Sequence, residues 1–319
     1  MTSLWRLGFG VALLGLGLAP VAGQADRSGL TDRVRALSRA SSWRLVSTIP
    51  VRFRTFHPQG MVKIGDTFIV SSVEVTTPTE RFSAPKDGFD RSPGTGVGHL
   101  FKVDMEGRLV ASVTLGEGSV YHPGGIDYDG RDLWVPVAEY RPDSRSILYR
   151  VDPITLNAAP VLRVADHIGG LVHNVDDRTL HGVSWGSRRF YRWPLGADRR
   201  IALPTPPLDQ LRTLNPSHYV DYQDCHYAGA RQMLCTGVAD FRPAAGGPVF
   251  RLGGMDLVNL VDGRPAHQVP VPLWTESGRP MTQNPAWVDV TPTGLRAYFM
   301  PEDDDSRIYV YEATTTPSR

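Results

Sequence analysis

His57-Pro58-Gln59-Gly60 and His122-Pro123-Gly124-Gly125 are two copies of one short stretch, and Asp166-His167-Ile168-Gly169-Gly170 is a looser third. Each opens an apolar run, a turn and a second apolar run. In the first two copies the second run ends in an acid, Glu74 or Glu139. Fourteen residues separate Gly60 from Glu74, and fourteen separate Gly125 from Glu139. Runs of this length, rich in β-branched residues and broken at Gly65-Asp66 or Asp129-Gly130, read as β-hairpins.

Outward from these hairpins the strands come at near-regular intervals. His99–Asp104 and Arg108–Leu115 complete a first set of four. Equivalents of Gly60 recur at Gly125, Gly170, about Asp224 and about Ala286. A period of this kind, four strands to a repeat, is the signature of propeller blades. Ala138-Glu139-Tyr140-Arg141-Pro142 matches Ala239-Asp240-Phe241-Arg242-Pro243 in kind at every position, which supports the same frame. The last repeat runs out one strand short, after Arg307–Glu312. Trp43–Phe53 reads as a strand that can supply it and remove an open sheet edge. The expected fold is an all-β propeller of five four-stranded blades over residues 43–319, closed by its N-terminal strand. A sixth blade hidden in the fourth-to-fifth connection is the alternative. Residues 26–42 carry a weak amphipathic pattern and read as a short helix outside the main fold.

Composition narrows the class. The chain has 319 residues and a formal net charge of +1, with no block of like charge. That leaves no electrostatic footprint for nucleic acid. Arg6, the apolar run Leu7–Leu18 and the small residues of Val21-Ala22-Gly23-Gln24-Ala25 read as a signal peptide over residues 1–25. The run is short and Gly-rich for a membrane span. The expected product is a monomeric secreted or periplasmic protein, not stably inserted in a membrane after cleavage. An uncleaved anchor is the alternative. Cys225 and Cys235, the only cysteines, flank a turn at Ala228-Gly229-Ala230-Arg231. In an exported chain they are expected to pair, two buried thiols being the other reading.

In a propeller the start of a blade's first strand and the end of its second share one rim. If Ile64 pairs with Thr67, counting outward sets His57 opposite Glu74. The same count sets His122 opposite Glu139 and His167 level with Ser184. One rim then holds His57, His122 and His167, with Glu74, Glu139 and Asp240 as candidate catalytic acids. His218, Asp224, His226 and Glu302 are further rim candidates. The stretch Thr76–Gly98, without periodicity, is placed to fold over this rim as a lid. Neutral imidazoles oriented by acids are what a divalent metal needs, zinc with three His or calcium if the acids dominate. The bland alternative is that each His only caps local backbone, copied by duplication. Trp134, Trp185 and Trp287 read as core between blades before sugar platforms. Asp303-Asp304-Asp305 reads as a solvated turn before a calcium loop. There is no Gly-x-Ser-x-Gly elbow, P-loop or dinucleotide fingerprint.

The repeated His-Pro-x-Gly, apolar strand, Asp-Gly turn and second strand resemble the gluconolactonase-like, strictosidine-synthase-like and NHL-repeat propellers. In the peptidyl-hydroxyglycine lyases of that group, His residues from several blades hold zinc in the channel, and His57, His122 and His167 look similar in placement. The calcium set of the gluconolactonase-like enzymes has no residue-by-residue counterpart here. The whole chain looks most like a family of exported bacterial and fungal propeller-like proteins, a domain of unknown function, which implies no activity. Two functions stay open. One is a metal-assisted hydrolase or lyase acting on a small molecule. The other is a non-catalytic propeller that binds a small or extracellular ligand, or a protein, at the same rim.

Overall fold

The computed structural model describes residues 29–243 and 246–315. Five antiparallel blades follow the chain. The first is His57–Ile64, Thr67–Thr77, Thr95–Asp104 and Leu109–Leu115. The second has its innermost strand broken into Val120–Pro123 and Asp127–Tyr128, followed by Leu133–Glu139, Ser146–Val151 and Ala158–Val164. Ile168–Asn174, Thr179–Ser184, Arg189–Pro194 and Arg212–Leu214 form the third. Asp221–Gly229, Gln232–Phe241, Phe250–Asn259 and Pro265–Val271 form the fourth. Ala286–Thr291, Gly294–Phe299 and Arg307–Thr314 form the fifth, whose outer strand is Trp43–Pro50. Trp43 pairs with Ala313 and Pro50 with Arg307, so both ends of the chain lock one sheet. The fourth-to-fifth connection holds one bridge, Trp274 to Pro280, and no sixth blade stands among the described residues.

The recurrent glycines sit where the innermost strands converge. A Cβ on Gly60 would stand 2.5 Å from the amide nitrogen of Ile126 and 2.8 Å from Cα of Gly125. Such an approach between backbones admits only glycine. The Gly125 amide donates to the Gly169 carbonyl at 2.8 Å, and Ser71 Oγ donates to the Gly124 carbonyl at 2.6 Å. Two carboxylates accept from further inner amides. Asp224 accepts from Met61, Ile126 and Cys225, which joins the first, second and fourth blades. Asp127 accepts from Tyr227 and His173, which joins the second blade to the fourth and third. Buried backbone donors without such partners would be costly.

Apolar clusters fill the wedges between blades. Trp134 and Trp287 are core residues, as read from sequence. The N-terminal helix, Leu30–Arg35, is a correction. It is not outside the fold: Leu30, Val34 and Leu37 are buried against Leu234, Met255, Leu257 and Phe299, between the fourth and fifth blades. Arg33 donates to the carbonyls of Thr315 and Pro292, and His267 bonds the Leu37 carbonyl. The weak moment in the sequence hid three apolar residues on one face. Cys225 and Cys235 face each other on paired strands and form a disulfide. Among the described residues no helix is long and apolar enough to cross a membrane. The signal segment lies outside the described residues.

Candidate functional site

Four innermost strands carry one extra residue near the rim: Gln59, Tyr121, Gly169 and Gln223. A bulge shifts the register by one and turns every side chain beyond it to the other face. Ile64 does pair with Thr67, but His57 pairs with Val73 rather than Glu74. Glu74 instead faces Val97, and its carboxylate meets His99 Nε2 at 3.2 Å. His122 pairs with Ala138 and Ile168 takes the place beside Ser184, so neither expected His–acid or His–Ser pairing forms. Gln59, Gly169 and Gln223 line one cavity of about 280 Å³ at the mouth of the channel.

His57, His122 and His167 do converge on this cavity, joined by Tyr140, Trp185, Ser184, Asp221 and Asp224. His122 and His167 have ring centroids 6.0 Å apart. Tyr140 stacks on His122 at 4.2 Å, and Trp185 meets His167 edge-on at 4.8 Å. Burial, with His167 and His57 close by, holds the His122 imidazole well below its ordinary pKa. Burial also pulls His167 down to about 4, against the opposing pull of the Glu139 carbonyl. Both rings are therefore neutral near pH 7. His167 Nδ1 donates to the Glu139 carbonyl at 2.8 Å, which leaves Nε2 as its bare nitrogen. Among the described residues neither ring nitrogen of His122 has a hydrogen-bond partner.

His57 is held differently. Its Nδ1 stands 2.7 Å from Asp303 Oδ1. Asp303 is braced by Arg279 at 2.7 Å and by Asn284 Nδ2 at 3.1 Å. Burial works to raise the Asp303 pKa, but His57 and Arg279 hold it at about 2. A carboxylate fixed in this way sets the imidazole tautomer, with Nδ1 protonated and Nε2 free to take a proton. Asp303, read as part of a solvated turn, is the partner that sequence reasoning missed. Tyr140, Gln59, Gln223 and Asp221 were missed too. Their only signal was position: Gln59 lies inside the repeated motif, Tyr140 follows Glu139, and Asp221 and Gln223 shortly precede Asp224.

The other candidates are placed as follows. Glu139 is buried and clamped by Arg141 at 2.7 Å, Arg145 at 2.8 Å and Ser119 at 2.6 Å, and these donors hold its pKa down against burial. Asp240 pairs with Arg251 at 3.1 Å in an adjoining chamber of about 330 Å³ that also includes His57. Asp224 forms part of the cavity floor, with burial raising its pKa. His226 lies beneath it at 3.3 Å and bonds the Ala286 carbonyl. His218 is exposed and meets Arg188 at 2.8 Å. Glu302 bonds Arg307 and Tyr309 and does not line the cavity.

The stretch Thr76–Gly98 is not irregular. It extends the neighbouring strands and folds a hairpin of Arg81–Lys86 and Phe89–Arg91. Arg91 lies 5.5 Å over the Trp185 ring, and Arg141 lies 3.5 Å over Phe89, so this hairpin leans on the cavity wall. The donor chemistry of His122 and His167, two neutral rings of which only His167 has a nitrogen tied, suits a divalent metal. Yet no group of three or more His, Cys, Asp or Glu is arranged to hold an ion among the described residues.

A family model matches residues 16–317. The chain belongs to this family of unknown function, DUF6454. No curated protein sequence matches the DUF6454 chain. Among solved structures it is similar to a Myxococcus xanthus glutaminyl cyclase, at 10% identity and TM-score 0.49, over 86% of this chain and 98% of the other. It is also similar to a luciferin-regenerating enzyme, at 12% identity and TM-score 0.48, over 86% and 95%. The WD40 domain of Toxoplasma gondii coronin matches at 7% identity and TM-score 0.38, over 88% of each chain.

Proposed function

We propose that this protein is an exported enzyme of hydrolytic or lyase type, acting on a small molecule in the rim cavity. The observation that carries the reading is the His57–Asp303 pair, braced by Arg279 and Asn284 at the cavity wall. In hydrolysis, His57 Nε2 takes a proton from water as the water oxygen bonds the electrophilic carbon. The imidazolium then returns that proton to the departing group. His122, neutral and without a partner, supplies an N–H for the oxygen that gains negative charge. The Tyr140 and Trp185 rings packed on His122 and His167 make that surrounding less polar, which strengthens the hydrogen bond to the developing charge. A panel of para-nitrophenyl esters and carbonates tests the reading. Turnover that falls about 100-fold or more in His57→Ala supports it. Turnover that ignores the substitution contradicts it, and the same rim then serves as a non-catalytic binding site.

A second reading is favoured by the two unpartnered nitrogens of His122. A divalent ion such as zinc on His122 and His167, with His57 as third ligand, would supply Lewis-acid chemistry. It requires the three rings to draw together. Elemental analysis of protein purified without chelator tests it, and a protein that neither carries nor takes up zinc, calcium or manganese rejects it.

A further inference from the structure

The cavity does not end at the three histidines. His57, Asp221 and Gln223 line both it and the adjoining chamber of Asp240, Arg251, Gln283 and Asn284. The two spaces, about 280 and about 330 Å³, meet at His57. Their walls differ. The first is walled by flat rings, Tyr140, Trp185, His122 and His167. The second is walled by amides and by carboxylates with cations beside them.

Charge balance separates possible ligands. The chambers are rich in acids, which by itself suggests a cation. But Asp221 pairs with Arg188 at 3.2 Å, Asp240 with Arg251 at 3.1 Å and Asp303 with Arg279 at 2.7 Å. Glu139, behind the wall, has two arginines. Asp224 spends its oxygens on three backbone amides. The imidazoles of His122 and His167 add no charge near pH 7. A charged ligand would enter without a counter-charge and lose its hydration, which is costly. The hydrogen-bonding capacity left open is neutral. It comprises the ring nitrogens of His122 and the buried Oε1 of Gln283, which have no partner among the described residues.

We infer that the substrate is an uncharged molecule of two linked parts, a planar ring among Tyr140, Trp185, His122 and His167 and a hydrogen-bonding tail beside Gln223, Gln283 and Asn284, joined next to His57. This rests on the reading of the rim as a small-molecule site and adds the class of molecule. It also assigns the second chamber to specificity, because a polar wall left unpaired rejects a ligand lacking the tail.

Calorimetry with non-hydrolysable anilides tests it. The probes are N-phenyl methoxyacetamide, which is neutral, succinanilic acid, an anion, glycine anilide, a cation, and acetanilide, which lacks the tail. The neutral tailed probe is expected to bind about 10-fold tighter than either charged one. Its Kd is expected to change less than about 2-fold between about 20 and about 500 mM salt. Gln283→Leu is expected to weaken it about 5-fold while leaving acetanilide unchanged. Equal or tighter binding of a charged probe, a steep salt dependence, or no binding of any probe overturns the inference. Tight neutral binding without ester turnover sinks the enzyme reading alone. Turnover of a charged ester with weak neutral binding sinks this one alone.

Discussion

Asp303 Oδ1 stands 2.7 Å from Nδ1 of His57 although 246 residues separate them in sequence. The contact joins the fifth blade to the first at the seam that the N-terminal strand closes. It therefore ties the geometry of the site to ring closure. Asp303→Asn is expected to keep the fold and to lower turnover more than substrate affinity, by about 10- to 100-fold, because the amide no longer fixes the imidazole tautomer. Separate kcat and KM values, with circular dichroism as a fold control, check this.

The same pair gives an acid limb to stability. The folded-state pKa of Asp303 is depressed to about 2, below the ordinary carboxylate range. Its contribution is thus present above about pH 4 and is lost as pH falls toward about 2. Allowing for its partial exposure, the loss is on the order of 1–2 kcal/mol. Urea titrations at a series of pH values, compared with Asp303→Asn, measure it.

His167 acts earlier on the pH scale. Its folded pKa of about 4 lies below the unfolded value, so stability is full above about pH 6.5 and falls as pH drops toward about 4. The unfolded chain takes up the proton first. One such histidine accounts for about 2 kcal/mol between pH 7 and pH 4.5. His122, shifted in the same direction, adds to the slope. His167→Gln is expected to flatten the pH dependence of the unfolding midpoint, and an unchanged slope would contradict its burial as a neutral ring.

The Cys225–Cys235 bridge closes a loop with a sequence separation of 10. Cys225→Ala with Cys235→Ala is expected to cost about 2–3 kcal/mol, chiefly through the unfolded chain. Chemical denaturation of both proteins without reductant checks it. A linked peptide pair in unreduced digests is the companion result.

The strand frame and the closing strand were legible because alternation and turn residues recur with a period, and a missing strand has one obvious donor. The convergence of His57, His122 and His167 was legible for the same reason. Their partners were not. Counting register from the Gly65-Asp66 turn is sound until Gln59, where an inserted residue turns the next face over. Nothing in His-Pro-Gln-Gly marks that bulge, since a glycine needed where a Cβ would collide with the next strand's backbone looks like any turn glycine. Asp303 was hidden by its neighbours: of three adjacent acids, only that one faces His57, while Asp304 meets Arg54. The helix at Leu30–Arg35 was misplaced because only its packing partners, far along the chain, reveal the buried face.

Leu30 gives a direct check on that placement. It is fully buried against the fourth and fifth blades. Leu30→Ala is expected to destabilise the protein by about 2–5 kcal/mol. A loss under about 0.5 kcal/mol would mean that the helix contributes little to the fold.

The central claim is that His57 moves a proton for a substrate in the rim cavity. Its most direct test is kcat/KM for the best-hydrolysed para-nitrophenyl ester in ordinary and in heavy water, in the parent protein and in His57→Gln. The parent is expected to turn over more slowly in heavy water, because a proton moves in the rate-determining step. In His57→Gln the rate is expected to fall about 100-fold or more, with binding of the neutral anilide retained. An unchanged rate without the imidazole would contradict the assignment of His57 as the base.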